Sequence, residues 1–225
     1  MSLPLLHGLP GSLARAYSGK LVLAPVLAPL LTVGLIASGV DGAVRDFFLE
    51  HVPLGTSQLR FGELFLGMLW PIAASYALIR TGYHGGNREH IAAGCAVLQA
   101  ILVAFALTTA LKFATGRPQP ESGAAASTFY GFSLENGPKV RVMWPSGHTT
   151  ESVSAAAALA GFWPGRRRLH ALVYGLAALV ASVMVVASFH WLSDVVAGAL
   201  LAAPIGWSTG ATLGTWARAG QAPEP

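Results

Sequence analysis

Three short clusters hold nearly all of the side chains in this chain that could do acid–base, nucleophilic or anion-binding chemistry. They read Lys112-Phe-Ala-Thr-Gly-Arg117-Pro-Gln119-Pro120, Trp144-Pro-Ser146-Gly147-His148 and His190-Trp-Leu-Ser-Asp194. In the third, His190 and Asp194 are four residues apart and share a face if the stretch is helical. The carboxylate can then accept a hydrogen bond from one ring nitrogen, which fixes the tautomer and raises the basicity of the other. A helix-end histidine can equally be a plain interfacial cap. The aspartate argues for more, because it heads an otherwise apolar run, Val195 to Ile205, and an ionisable group entering hydrocarbon needs a partner.

The second cluster precedes another apolar run. Gly147 permits a tight turn and a close backbone approach, and the helix that follows offers unpaired N–H groups to an anion. Ser146 can add an O–H donor and His148 can give a proton to a departing oxygen. Ser146 as a simple N-cap is compatible with both roles. In the first cluster, Lys112 and Arg117 can converge on phosphoryl oxygens, one as a point charge and the other as a planar fork. Pro118 and Pro120 would stiffen that loop. The alternative is a snorkelling lysine beside a basic loop residue. Arg141 is a further cation in the same long loop. Glu151, three residues past His148, would either tune that histidine, pair with Arg117 or Arg141, or simply cap its helix.

The elements that must position these clusters are apolar. Hydrophobic residues make up 53% of the chain and charged residues 11%, and the mean hydropathy is +0.56. So little charge cannot cover a soluble surface, and runs near 20 residues match a bilayer core. The reading is all-α, a polytopic membrane protein with six transmembrane helices at 21–40, 62–79, 91–111, 149–164, 171–188 and 191–211, forming one domain over 1–225. The first run is read as a retained span and not a cleaved signal. The 41–61 connection carries Phe47, Phe48 and Leu49 between charges, as either an interfacial helix or a loop cap.

Charge sets the expected orientation. With six spans, one side holds Arg15, Lys20, Arg80, Arg88, Arg166, Arg167, Arg168 and Arg218, and the other holds Arg45, Arg60, Lys112, Arg117, Lys139 and Arg141. The tight Arg166–Arg168 turn marks the first side as cytoplasmic, with both termini there. The three clusters then meet on the opposite side. The net charge of +4 is thus assigned to topology and anion binding, not to nucleic acid. Cys95, the single cysteine, is a packing thiol, and no Cys/His pattern suggests a metal or cofactor.

Taken together, these residues resemble the type 2 phosphatidic acid phosphatase (PAP2) superfamily in its integral-membrane lipid phosphatase branch. That pattern has Lys, six residues, Arg-Pro; then Pro-Ser-Gly-His; then Ser-Arg, five residues, His, three residues, Asp. Here Lys112 and Pro120, the whole of Pro145-Ser146-Gly147-His148, and His190 with Asp194 match. The resemblance implies a PAP2-like helical bundle and a phosphohistidine mechanism. In it His190 attacks phosphorus, Asp194 orients it and His148 protonates the leaving alkoxide. Lys112, with the backbone at Ser146 and Gly147, would stabilise the transferring group. The implied substrate is a membrane lipid phosphomonoester or pyrophosphate, and the implied site is a bacterial inner membrane with the active site facing the periplasm or exterior.

Two positions depart from the pattern. Gln119 stands where the first motif has arginine, and Val183-Met184 stands where the third has Ser-Arg. Gln119 can still donate neutral hydrogen bonds and Met184 none. Three readings follow: Arg117 and Arg141 replace the missing charge; or the substrate is a phosphodiester and the enzyme a headgroup phosphotransferase; or the chain is a catalytically silent binder of anionic lipid. Solute transport is a fourth class. It would want polar groups near mid-membrane, and the sequence offers mainly Gln99 and prolines at 25, 29 and 71.

Overall fold

Long apolar runs broken by glycine, proline and basic turns fold as helices, and a computed structural model describes residues 3–52, 69–132 and 142–219. Every regular element among the described residues is helical: α1 Leu9–Ala16, α2 Leu23–Ala37, α3 Val40–His51, α4 Leu69–His84, α5 Arg88–Thr115, α6 Gly147–Phe162, α7 Arg167–Val186 and α8 Leu192–Ala219. Short 3-10 turns occupy Gly19–Val22 and Pro120–Ser122. The boundaries have local causes. Asn87 caps α5 by accepting a hydrogen bond from the His90 N–H at 3.0 Å. The same helix stops at Gly116, which takes the left-handed conformation (φ 59°) that suits glycine.

The core is built around α6. Every residue of this helix from Ser154 to Phe162 is buried, enclosed by α5, α7 and α8. Its small side chains let α8 approach at backbone distance. A Cβ on Gly206 would overlap the Ser154 carbonyl, one on Gly210 the Ala158 carbonyl, and one on Gly161 the Trp207 carbonyl. Close approach of small residues is how helices gain packing where lipid supplies no hydrophobic drive. By contrast, α2 and α7 present Leu30, Val33, Leu172 and Leu179 outward, the surface expected of helices against hydrocarbon.

The expectation of six spans is corrected to four. Among the described residues, only Gly19–Ala37, Arg88–Ser122, Arg167–Val186 and Leu192–Ala219 are long and apolar enough to cross a membrane. The run at 149–164 folds as α6, whose 16 residues reach about 24 Å, short of a hydrocarbon core about 30 Å thick. It reads as apolar because it is the centre of the protein, not because it meets lipid. Of the run at 62–79, residues 62–68 lie outside the described residues, and α4 is also 16 residues long. The result is a polytopic helical bundle, and its four apolar helices make it a multi-pass membrane protein. The 41–51 stretch is helix α3, with Phe47 and Leu49 exposed.

The bundle has two chemically distinct ends. At one, Arg218 Nη1 donates to the Phe162 carbonyl at 3.2 Å, Arg88 lies 4.0 Å over the Trp216 ring and Arg166 lies 5.0 Å over Trp163. The C-terminus of α5 and the N-termini of α6 and α8 converge at the other end, and these carry the three clusters. Gln99, the mid-span polar residue, is buried and donates to the Leu5 carbonyl at 2.5 Å, anchoring the N-terminal segment.

Candidate active site

A cavity of about 320 Å³ opens where those three helix ends meet. Lys112, Gln119, Gly147, His148, Glu151 and His190 line it, with Phe105, Met143 and Phe189 as apolar wall. Lys112 comes from the last turn of α5. Its Nζ donates to the Val142 carbonyl at 3.1 Å, and a Cβ placed on Gly147 would stand 3.9 Å from it. The ammonium therefore lies beside the first turn of α6, where the helix field also favours an anion.

Ser146 occupies the N-cap position of α6, but its side chain accepts no capping bond from the backbone. Instead its hydroxyl accepts from Thr149 Oγ1 at 3.0 Å. The turn is fixed from outside the helix: the Ser146 N–H donates to the Asp194 carbonyl at 3.0 Å, and a Cβ on Gly198 of α8 would come within 2.8 Å of the Ser146 carbonyl. These contacts lock the start of α6 to the start of α8, and so set His148 relative to His190.

His190 is buried, with Nδ1 3.2 Å from Asp194 Oδ2. That oxygen also accepts from the Trp191 N–H at 3.0 Å. Burial lowers the His190 pKa below the usual histidine value, with the Asp194 hydrogen bond pulling the other way. His148 is pushed down to about 4, by burial first and then by His190 and Lys112. Burial raises Glu151 to about 7 against the opposing pull of Lys112.

Arg117 does not stand in the cavity wall. It is completely buried behind His190. Nη1 donates to Ser193 Oγ at 2.7 Å and to Asp194 Oδ1 at 2.5 Å. Nη2 donates to Asp41 Oδ2 at 2.8 Å and to the Ala126 carbonyl at 2.8 Å. Phe129 and Trp191 lie 5.0 and 5.2 Å from the guanidinium carbon. Trp191 in turn donates from Nε1 to the Pro118 carbonyl at 3.0 Å, tying the Arg117 loop to the start of α8.

The two departing positions behave differently. Gln119 lines the cavity and lies 3.4 Å from Glu121 Oε2 through Nε2. Met184 is fully buried in an apolar cluster with Ala187, Phe189 and Val195, and its carbonyl accepts the N–H groups of Phe189 and His190. It supports the His190 backbone from beneath. Arg141 lies outside the described residues. Asp41 and Ser193 are participants that the motifs did not reveal. The available signal was the one used for Asp194: an aspartate beside an apolar span requires a polar partner. No group of three or more His, Cys, Asp or Glu side chains suited to a metal occurs among the described residues.

Comparison with known proteins places this arrangement among relatives. The model of the PAP2 superfamily matches residues 93–217, a range that contains all three clusters. A PA-phosphatase related-family protein of Dictyostelium discoideum is 31% identical over 143 residues, which are 56% of this chain and 51% of that protein. The chain thus spans about half the length of the curated relative it matches. No solved structure matches it.

Proposed function

Because this chain belongs to the PAP2 superfamily, we propose that it is a membrane lipid phosphatase that cleaves a lipid phosphomonoester or pyrophosphate through a phosphohistidine. The observation that carries the reading is His190, held through Nδ1 by Asp194 and sharing one cavity with His148 and Lys112. The Asp194 bond leaves Nε2 to attack. As the N–P bond forms, the P–O bond to the lipid breaks, and its electron pair goes to the leaving oxygen, which takes a proton from His148, whose charged form the negative phosphate beside it favours against the burial that lowers its pKa. The phosphoryl group moves onto nitrogen while the Nδ1 proton stays facing Asp194. Water then attacks phosphorus with His148 accepting its proton, the N–P bond breaks and phosphate leaves. Lys112 and the N-terminal N–H groups of α6 stabilise charge on the equatorial oxygens throughout.

The basic end of the bundle, with its Arg166–Arg168 turn, belongs on the cytoplasmic side. The cavity at the opposite end would then receive lipid from the outer leaflet, in a bacterial inner membrane from the periplasmic side. The relative's name, a PA-phosphatase related protein, is consistent with a phospholipid monoester.

A second reading, headgroup phosphotransfer on a phosphodiester, is favoured by one observation. Among the described residues the cavity wall carries one Lys or Arg, Lys112, with Gln119 neutral beside it. A diester brings one negative charge where a monoester dianion brings two. The test is a substrate panel on purified protein that follows both free phosphate and exchanged lipid, with His190→Ala as the blank. Phosphate release lost in the blank supports hydrolysis. Exchange without release supports transfer. Neither product from any lipid, with wild-type protein folded and binding anionic lipid, would overturn both.

A further inference from the structure

The Arg117 network reaches one group that none of the three clusters contains. Asp41, in the first turn of α3, is fully buried and approaches the start of α8 with both oxygens. Oδ1 accepts from the Ser193 N–H at 2.9 Å, and Oδ2 accepts from the Ser193 hydroxyl at 2.5 Å across 152 residues of sequence. Oδ2 also accepts Arg117 Nη2 at 2.8 Å. The same guanidinium holds Asp194 through Nη1 at 2.5 Å, and Asp194 holds His190.

We propose that Asp41 is a positioning residue of the active site, which acts through Arg117 and Ser193 to fix Asp194 and, through it, the His190 ring. A guanidinium has a planar fork, so two carboxylates anchored on its two terminal nitrogens define its plane as well as its place. With Asp41 alone removed, Nη2 keeps only the Ala126 carbonyl, and Arg117 is free to swing toward Asp194. Asp194 then has one carboxylate to share between a mobile guanidinium and the His190 ring. The formal charges make the same point. Asp41, Asp194 and Arg117 together carry one net negative charge, and this offsets the positive charge that a histidine gains when its second nitrogen bonds to phosphorus. Lys112, His148 and Glu151 line the cavity onto which His190 opens, and Arg45 shares with Asp41 and His190 the small pocket behind it.

The role rests on His190 being the nucleophile, so its test needs a readout independent of turnover. Asp41→Asn is nearly isosteric and can still accept from the Ser193 N–H, yet it removes the charge. Two measurements are made on the full-length variant in detergent. The first is steady-state phosphate release on whichever panel lipid is active. Loss of alignment of the attacking group costs about 10²-fold for a displacement of about 1 Å. The expected result is a kcat lower by roughly 10- to 100-fold with KM changed by less than about threefold. The second is the rate at which diethyl pyrocarbonate modifies His190, read by peptide mass spectrometry against His148 as internal standard. A looser ring is more accessible to the reagent, so the His190-to-His148 ratio should rise at least about threefold. Should Asp41→Asn fail to fold, Ser193→Ala removes the hydroxyl bridge while leaving all three charges, and the same ratio should rise by a smaller factor. A folded Asp41→Asn protein with unchanged ratio and kcat within about twofold of wild type would overturn the proposal. If wild type hydrolyses no lipid, the phosphatase reading falls, and the modification ratio alone still decides the role of Asp41.

Discussion

Replacing Arg117 by alanine separates two jobs that a basic residue beside a phosphate-handling site could have. In the structure its guanidinium makes four hydrogen bonds, three to side chains and one to a carbonyl, and both of its carboxylate partners are completely buried. The alanine variant leaves Asp41 and Asp194 as two buried acids without their shared cation. Breaking a buried pair by removing one partner costs about 3–5 kcal/mol, a large part of a stability near 5–15 kcal/mol. For a chain of this size each kcal/mol moves Tm by about 2–4 °C, so Tm should fall by roughly 6–20 °C. Thermal unfolding of purified protein in detergent, followed by circular dichroism or by aggregation in size-exclusion chromatography, reads this directly and needs no substrate. A cation whose task was to bind phosphate would give the opposite pattern: Tm within about 2 °C of wild type and a KM raised by an order of magnitude or more. That outcome would refute the buried-clamp assignment. A double variant with Asp41→Asn should lose less than the sum of the two single losses, by about 0.5–3 kcal/mol, because both changes break one shared contact.

The two departing motif positions should respond in opposite ways. Gln119→Arg adds a second cation to the cavity wall. A charge-assisted bond in place of a neutral one is worth about 1 kcal/mol, so KM for a lipid monoester should fall about fivefold with little change in Tm. Met184→Arg instead puts a charge into the apolar cluster of Ala187, Phe189 and Val195, and its expected result is loss of folded protein on size-exclusion chromatography, not rescued activity. Glu151→Gln should reshape stability against pH. The folded-state pKa of about 7 lies above the ordinary glutamate value of 4.5, so the folded protein binds the extra proton and wild-type stability declines as pH rises between those values. The variant lacks this loss and should gain about 1–3 kcal/mol over wild type at pH 8 but not at pH 4. A pH series of melting curves in which the two proteins run parallel would disprove the placement of Glu151. Gly210→Leu should drive α8 off the Ala158 carbonyl of α6 at a cost of at least about 1–3 kcal/mol, seen as a lowered Tm and as lost activity, because the α6–α8 contact sets His148 against His190.

Periodicity and composition by themselves point to a helical membrane protein, and the Pro145-Ser146-Gly147-His148 turn with the His190/Asp194 pair carries the resemblance to the PAP2 superfamily. These are local properties. A Pro-Ser-Gly-His turn reads as a turn before a helix in any context, and a histidine four residues from an aspartate is a neighbour along one strip of chain. Hydropathy could not tell a helix that faces lipid from one that faces other helices, because both are apolar. For that reason the run at 149–164 looks like a span along the chain, while in the fold it is α6, the buried centre of the bundle. Nor could one-dimensional spacing say where Arg117 sends its charge. Its nearness to Lys112 in sequence suggested a shared anion, but its partners come from α3 and α8, brought together only when the bundle closes. Asp41 was invisible for the same reason. The two histidines proposed to react are written along the chain, whereas the guanidinium and carboxylates that hold His190 in place are a property of the fold, set by the need to pair buried charges.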